Sequence, residues 1–175
     1  MIKQIVSASD PKLRQKSKPI SKFDKRLNQI ITDLKDTLIA QKNPEGVGLA
    51  APQIGKNVRV FVVRAKKSDP ISVYINPVIL KQKTIADRIK KKDNTLEGCL
   101  SLPNFYGPLK RDNYVKLKFK NEKGESVTKE FFDFDAQIIL HEMDHLNGII
   151  FVDRLLASGK PLYEYKNGDW NKVDF

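Results

Sequence analysis

Cysteine is almost missing from this chain: Cys99 is the only one in 175 residues. No internal disulfide can form, which excludes the small secreted scaffolds held by bridges and points to a reducing compartment. Long apolar runs are missing too. Nothing approaches the roughly 20 residues that a membrane-spanning helix needs, and Met1-Ile2-Lys3-Gln4-Ile5-Val6 is too short an apolar run for a secretory leader. The expectation is a soluble chain of the cytoplasm, or of an organelle interior if a transit peptide has been removed. Histidine is the third scarcity, with two residues, His141 and His145. No internal repeat, low-complexity segment or linker breaks the chain. At this length the expectation is a single domain over residues 1–175, with a core that needs neither disulfides nor a structural metal cluster.

Acidic residues are outnumbered, 21 to 32, which leaves a formal net charge of +11 and an isoelectric point near 9.6. Such a balance favours polyanions, RNA or a ribosome-sized assembly above all. A generally lysine-rich composition accounts for it equally well. The lysines are scattered apart from Lys90-Lys91-Lys92, and no nucleic-acid-binding motif accompanies them.

The periodicity predicts an N-terminal amphipathic helix from Ser21 to about Gln41, with Phe23, Leu27, Ile30, Leu34 and Leu38 on one stripe and Ser21 at its start. Val58–Val63 reads as a strand, and Val73–Leu80 as another that is interrupted near Asn76-Pro77. Residues 81–94 read as a polar loop. Tyr114–Lys120 alternates strictly between apolar and lysine positions, turns at Asn121–Gly124 and returns through Glu125–Phe132, which makes an antiparallel hairpin. A second helix, capped by Asp133 or Asp135 and running to about Asn147 before Gly148, is apolar around much of its circumference, as a buried central helix would be. At the end, Leu162–Lys166 and Asp169–Val173 flank Asn167-Gly168. That pair suits a two-residue turn with positive φ at both positions, so a C-terminal β-hairpin packed through Tyr163 or Trp170 is expected. The fold class is therefore α+β: antiparallel sheets around a central metal-binding helix, with the amphipathic helix before it and the hairpin after it.

Both histidines fall within His141-Glu142-Met143-Asp144-His145. On a helix, positions four apart share a face, so two imidazoles can bind one metal while the glutamate between them serves as general base. A catalytic site commonly takes a third protein ligand and keeps one position open. Phe151 stands where a six-residue spacing would require a further histidine, so that pattern fails. Glu164 is the only glutamate after the helix and lies in a strand-like stretch. Cys99 is the better candidate, fixed between Gly98 and Pro103; a thiolate with two imidazoles suits Fe(II), Zn, Co or Ni rather than Mg or Ca. A third element, Gly46-Val47-Gly48-Leu49-Ala50-Ala51-Pro52-Gln53, lacks the lysine and hydroxyl of a phosphate loop. Its glycines would let backbone approach a ligand, and Gln53 would point an amide at an oxyanion. Read alone it is equally a small-residue turn before a strand.

In this order the three elements, residues 46–53, 97–101 and 141–145, resemble the peptide deformylase family, with patterns Gly-x-Gly-x-Ala-Ala-x-Gln, Glu-Gly-Cys-x-Ser and His-Glu-x-x-His. Asp10-Pro11-x-Leu13-Arg14 and Leu146-Asn147-Gly148 extend the likeness to about Leu155. Two departures stand out. Leu140 occupies a place where the family commonly has glutamine, and the last twenty residues do not resemble the long terminal helix of some members, so a ribosome-docking role of that helix does not transfer. The resemblance implies that Cys99, His141 and His145 hold one divalent ion, Fe(II) physiologically with Zn, Ni or Co as substitutes. It implies Glu142 as acid/base, Gln53 and the Leu100 N–H as oxyanion donors, and Gly46, Gly48 and Gly98 as main-chain substrate contacts. The implied reaction removes the formyl group from N-formyl-methionyl nascent peptides as formate. A general zinc peptidase completed by Glu164, and a basic RNA- or ribosome-binding protein, are the competing readings.

Overall fold

The computed structural model describes residues 1–88 and 96–173; Lys90-Lys91-Lys92 lies outside them, as does the later part of the loop expected over 81–94. Helix α1 spans Lys25–Ala40. Strands β1 (Gly48–Ala50), β2 (Val60–Val63), β3 (Ser72–Lys83), β4 (Glu97–Cys99), β5 (Leu102–Gly107), β6 (Tyr114–Lys120) and β7 (Ser126–Phe132) follow. Helices α2 (Asp133–Leu146) and α3 (Phe151–Ala157) precede the closing strands β8 (Leu162–Lys166) and β9 (Asp169–Val173). The strands form two antiparallel sheets, a five-stranded one ordered β1-β2-β3-β6-β7 and a four-stranded one ordered β4-β5-β8-β9. The α+β class read from the sequence holds.

The five-stranded sheet is buried on both faces at its β1–β2 end, which explains why Val60-Phe61-Val62-Val63 shows no polar alternation. One face carries Leu49, Val60, Val62, Val73 and Ile75 against Leu27, Ile30, Leu34 and Leu38 of α1. The other carries Phe61, Tyr74, Leu117 and Phe131 against Ile139, Met143 and Leu146 of α2. Phe61 stacks on Tyr74 with ring centres 4.7 Å apart. A third cluster, Cys99, Leu109, Phe151, Leu155 and Leu162, joins the smaller sheet to α3. Helix α2 thus lies in the middle of the molecule, buried along most of its length.

Four details correct the sequence reading. Helix α1 begins four residues later than expected, because Asp24 rather than Ser21 caps it, accepting from the Arg26 and Leu27 amides at 3.0 and 3.1 Å; Phe23 is left outside the helix and 40% exposed. Strand β3 does not stop at Leu80 and passes through Asn76-Pro77 by a bulge. Asn76 takes a φ of 50° there, and its side-chain amide exchanges two 2.7 Å hydrogen bonds with the Ile20 backbone, which steadies a place where proline cannot donate. Neither Asp133 nor Asp135 caps α2 through its side chain; the Asp133 carboxylate instead pairs with Arg88 at 2.6 Å. Helix α3 has no counterpart in the expectations, since seven residues are too few for a stripe to show. The terminal hairpin is present. Asn167 and Gly168 have φ of 54° and 93°, and Trp170 packs edge-on to Tyr106 of β5 at 5.4 Å between ring centres.

Gly148, just past α2, has a φ of 75°, and a Cβ there would lie 2.5 Å from the Arg14 carbonyl oxygen. Both the left-handed backbone and the close approach of the N-terminal segment require glycine. Gly148→Ala is therefore expected to destabilise the fold by about 2–3 kcal/mol. An unchanged midpoint in chemical denaturation would refute this.

Candidate metal centre

Helix α2 places His141 and His145 one turn apart on the face turned toward the smaller sheet, and β4 brings Cys99 to meet them. The candidate ligand atoms of the three residues lie within 4.8 Å of one another. The Cys99 Sγ to His145 Nε2 distance is 3.3 Å, and the two Nε2 atoms are 3.2 Å apart. Bonds of about 2.3 Å to sulfur and 2.0–2.1 Å to nitrogen in a tetrahedral site put donor atoms about 3.3–3.6 Å apart. The residues present therefore fit a single metal ion. Glu164, the alternative third ligand, stands on β8 opposite Phe105 and is not part of this cluster.

Around the three candidate ligands runs a buried ionic network. Glu97, two residues before Cys99, faces His141 Nδ1 at 2.6 Å and accepts two hydrogen bonds of 2.7 Å from Arg111. Arg111 also reaches Asp144 at 2.8 Å, and Arg154 of α3 holds the same carboxylate at 2.6 and 2.5 Å. Holding His141 Nδ1 fixes the ring and leaves Nε2 free for a metal. Burial alone would raise the Glu97 pKa, but the charges and hydrogen bonds of His141 and Arg111 overcome it and keep the carboxylate ionised. Burial likewise works against a charged Cys99, yet His145 and His141 lower its pKa well below that of a free thiol. The thiolate is the form metal binding requires.

A cleft of about 240 Å³ opens onto the cluster. Gly46, Gly48, Gln53, Gly98, Leu100 and Glu142 all line it. Glu142 is 3% exposed, its Oε2 has no hydrogen-bond partner among the described residues, and burial pushes its pKa up to about 7 against the opposing charges of His141 and His145. Gln53 is fixed at both ends of its amide: Oε1 accepts from the Ala50 N–H at 2.9 Å, and Nε2 points at Ser101 Oγ (3.2 Å) and Cys99 Sγ (3.6 Å). Two glycines have packing reasons to be glycine. A Cβ at Gly48 would overlap the Glu142 carboxylate, and one at Gly98 would sit 2.7 Å from the Tyr106 ring.

The structure thus brings Gly46, Gly48, Gln53, Gly98, Cys99, Leu100, His141 and Glu142 to one cleft, with His145 buried behind it in contact with Cys99 and His141, and leaves Glu164 outside. The sequence reading missed the roles of Glu97, Arg111, Asp144 and Arg154. One signal was available: Asp144 is an acidic residue in a helix expected to be buried, and a buried charge needs a partner.

A histidine-glutamate helix with a cysteine beside its two histidines, within an α+β frame, has the make-up of a metal-dependent hydrolase. Within that class the match is specific. The profile of the family described as Polypeptide deformylase matches residues 2–160. Peptide deformylase 1 of Clostridium acetobutylicum is 43% identical over 157 residues, covering 90% of this chain and 97% of that protein. Peptide deformylase of Pseudothermotoga lettingae is 38% identical over 158 residues, covering 90% and 85%. The crystal structure of the Thermotoga maritima peptide deformylase superposes with a TM-score of 0.75 at 35% identity, covering 88% of this chain and 97% of that one. The chain belongs to the peptide deformylase family, and it hydrolyses the N-formyl group from formylated nascent polypeptides, releasing formate.

Glu97→Gln keeps the shape of the bridge but removes its charge. It should weaken metal retention about 10- to 100-fold, read by competition with a chelator. Retention equal to that of the wild type would show that the Glu97 charge does not hold His141 for a metal.

Proposed function

We propose that Cys99, His141 and His145 are the ligands of the catalytic ion, Fe(II) physiologically and replaceable by Zn, Ni or Co. The donor set of one thiolate and two imidazoles supports this range. The observation that carries the reading is the convergence of these three donor groups beside the unpartnered Glu142 oxygen on one cleft. When bound, such an ion supplies Lewis acidity and a water acidic enough to act near neutral pH.

The chain's own groups then manage protons and charge. Glu142 takes a proton from the attacking water, whose oxygen bonds to the formyl carbon as the carbonyl electron pair moves onto oxygen. The Gln53 amide and the Leu100 N–H donate to that oxyanion. Collapse restores the carbonyl and breaks the C–N bond while Glu142 returns the proton to the departing nitrogen. Formate and a free amino terminus result. Main chain at Gly46, Gly48 and Gly98 holds the peptide, supported by their places along the cleft. The whole of residues 1–175 acts as one catalytic domain in the cytoplasm. No described helix is long and apolar enough to cross a membrane. Its net charge of +11 supports association with the ribosome, where its substrates emerge.

Replacing Cys99, His141 or His145 should remove metal and activity together. Glu142→Ala should keep the metal and slow formate release from formyl-methionyl peptides at least about 100-fold. Normal turnover by that variant, or full metal content in Cys99→Ala, would refute the assignment. Gln53→Ala should lower kcat roughly 100-fold with little change in KM, as expected of a donor that acts on the transition state. A rise confined to KM would reduce Gln53 to substrate positioning.

A further inference from the structure

Helix α1 covers the β1–β2 end of its face of the five-stranded sheet. At the other end, that face has no helix over it among the described residues and carries lysine. Lys116, Lys118 and Lys120 alternate along β6 with the core residues Val115, Leu117 and Phe119, and Lys118 and Lys120 are exposed. Lys81 of β3 stands directly opposite Lys116, and the 54% exposed Val78 stands opposite Lys118. On this face β3, β6 and β7 hold Lys81, Lys83, Lys116, Lys118 and Lys120, with Glu130 as their only acid, while Lys129 stands opposite Leu117 on the α2 side. Glu130 meets Lys116 at 3.4 Å; among the described residues Lys81, Lys118 and Lys120 have no carboxylate partner.

Ordinary solubility does not require this arrangement. Mixed charges would solubilise the face and attract one another across the strands, whereas lysine placed opposite lysine is destabilising. Lysine often guards an exposed sheet edge, but β6 is an interior strand between β3 and β7. A two-residue step along a strand is about 6.7 Å, so β6 presents an evenly spaced row of cations. Such a row suits a polyanion with regularly repeated charges. Helix α2 packs on the opposite face through Leu117 and Phe119, so a partner on the lysines leaves the cleft open.

We propose that this face docks the enzyme on ribosomal RNA, with Lys81, Lys118 and Lys120 meeting backbone phosphates; the inference rests on the ribosome association proposed above and gives it a location. RNA is favoured over an acidic membrane because the exposed apolar side chains beside these lysines, Val78, Leu80 and Phe23, lie on a strand and a connecting segment, and among the described residues no amphipathic helix on this face offers an apolar stripe to insert.

The test is co-sedimentation of the metal-loaded enzyme with salt-washed bacterial ribosomes across a series of salt concentrations. Lys81→Gln/Lys118→Gln/Lys120→Gln is expected to bind at least about tenfold more weakly, with a log–log salt slope shallower by about three. Lys12→Gln/Lys16→Gln/Lys56→Gln makes the same charge change on exposed residues elsewhere and is expected to bind like the wild type. Both variants should deformylate a short formyl-methionyl peptide normally, which verifies their folding. If wild type binds and the two triple variants weaken equally, the ribosome reading stands and this face is overturned. If wild type does not bind ribosomes, both fall. Binding to phosphatidylglycerol vesicles but not to ribosomes overturns the inference in favour of a membrane.

Discussion

The Glu97 carboxylate ties the two halves of this molecule together. It sits at the start of β4 in the smaller sheet, is gripped by Arg111, and holds His141 of the central helix. The proposed ligands come from those same two elements, Cys99 from β4 and both histidines from α2. Their separation is therefore set by how β4 lies against α2, and the ionic bridge fixes that. Asp144, on the same helix one residue before His145, repeats the arrangement with Arg111 and Arg154 and brings α3 into register. Buried ion pairs of this kind add little stability over well-packed apolar groups, because desolvation offsets the attraction. Breaking one is costly, so the network acts chiefly as a constraint on position.

The rest of the cleft follows from that constraint. With α2 fixed against β1, there is room for the Glu142 side chain only because Gly48 has no Cβ. Glu142 is left buried with one oxygen unpartnered among the described residues, an expensive arrangement unless a water or substrate proton is its occasional partner. Gln53 shows the opposite treatment. Its amide is anchored by the Ala50 N–H and turned toward Cys99 and Ser101, which sets its orientation in advance, as the oxyanion role proposed for it requires. Preorganised donors are effective because no reorganisation is needed during the reaction.

The five-stranded sheet separates two kinds of surface. Toward α2 it is aromatic and aliphatic, stacked through Phe61 and Tyr74. Away from α2 it is covered by α1 at one end and by lysine at the other. Catalysis and the proposed docking thus fall on opposite sides of one layer and need not compete.

Much of this was legible in the residues. The His-Glu-x-x-His spacing fixed which side chains share a helical face. The strict alternation of β6 specified a sheet with one buried face, and Asn167-Gly168 specified a turn that only positive φ allows. These are local signals, and local geometry obeys them. Proximity between distant segments was not legible without the family resemblance: nothing in the spacing of Cys99 to His141 requires them to meet. The partners of Glu97 and Asp144 were equally hidden, because an ion pair between β4, the segment at Arg111 and two helices leaves no periodic trace. Helix α3 escaped notice since seven residues give no readable stripe, and the bulge at Asn76 depended on Ile20, fifty-six residues away. By itself the sequence determined the spacing of the side chains to which the chemistry is assigned and the helix that carries three of them, His141, Glu142 and His145. Only tertiary packing decided their separations, their charge states and their exposure to the cleft, because those depend on contacts between residues far apart in the chain.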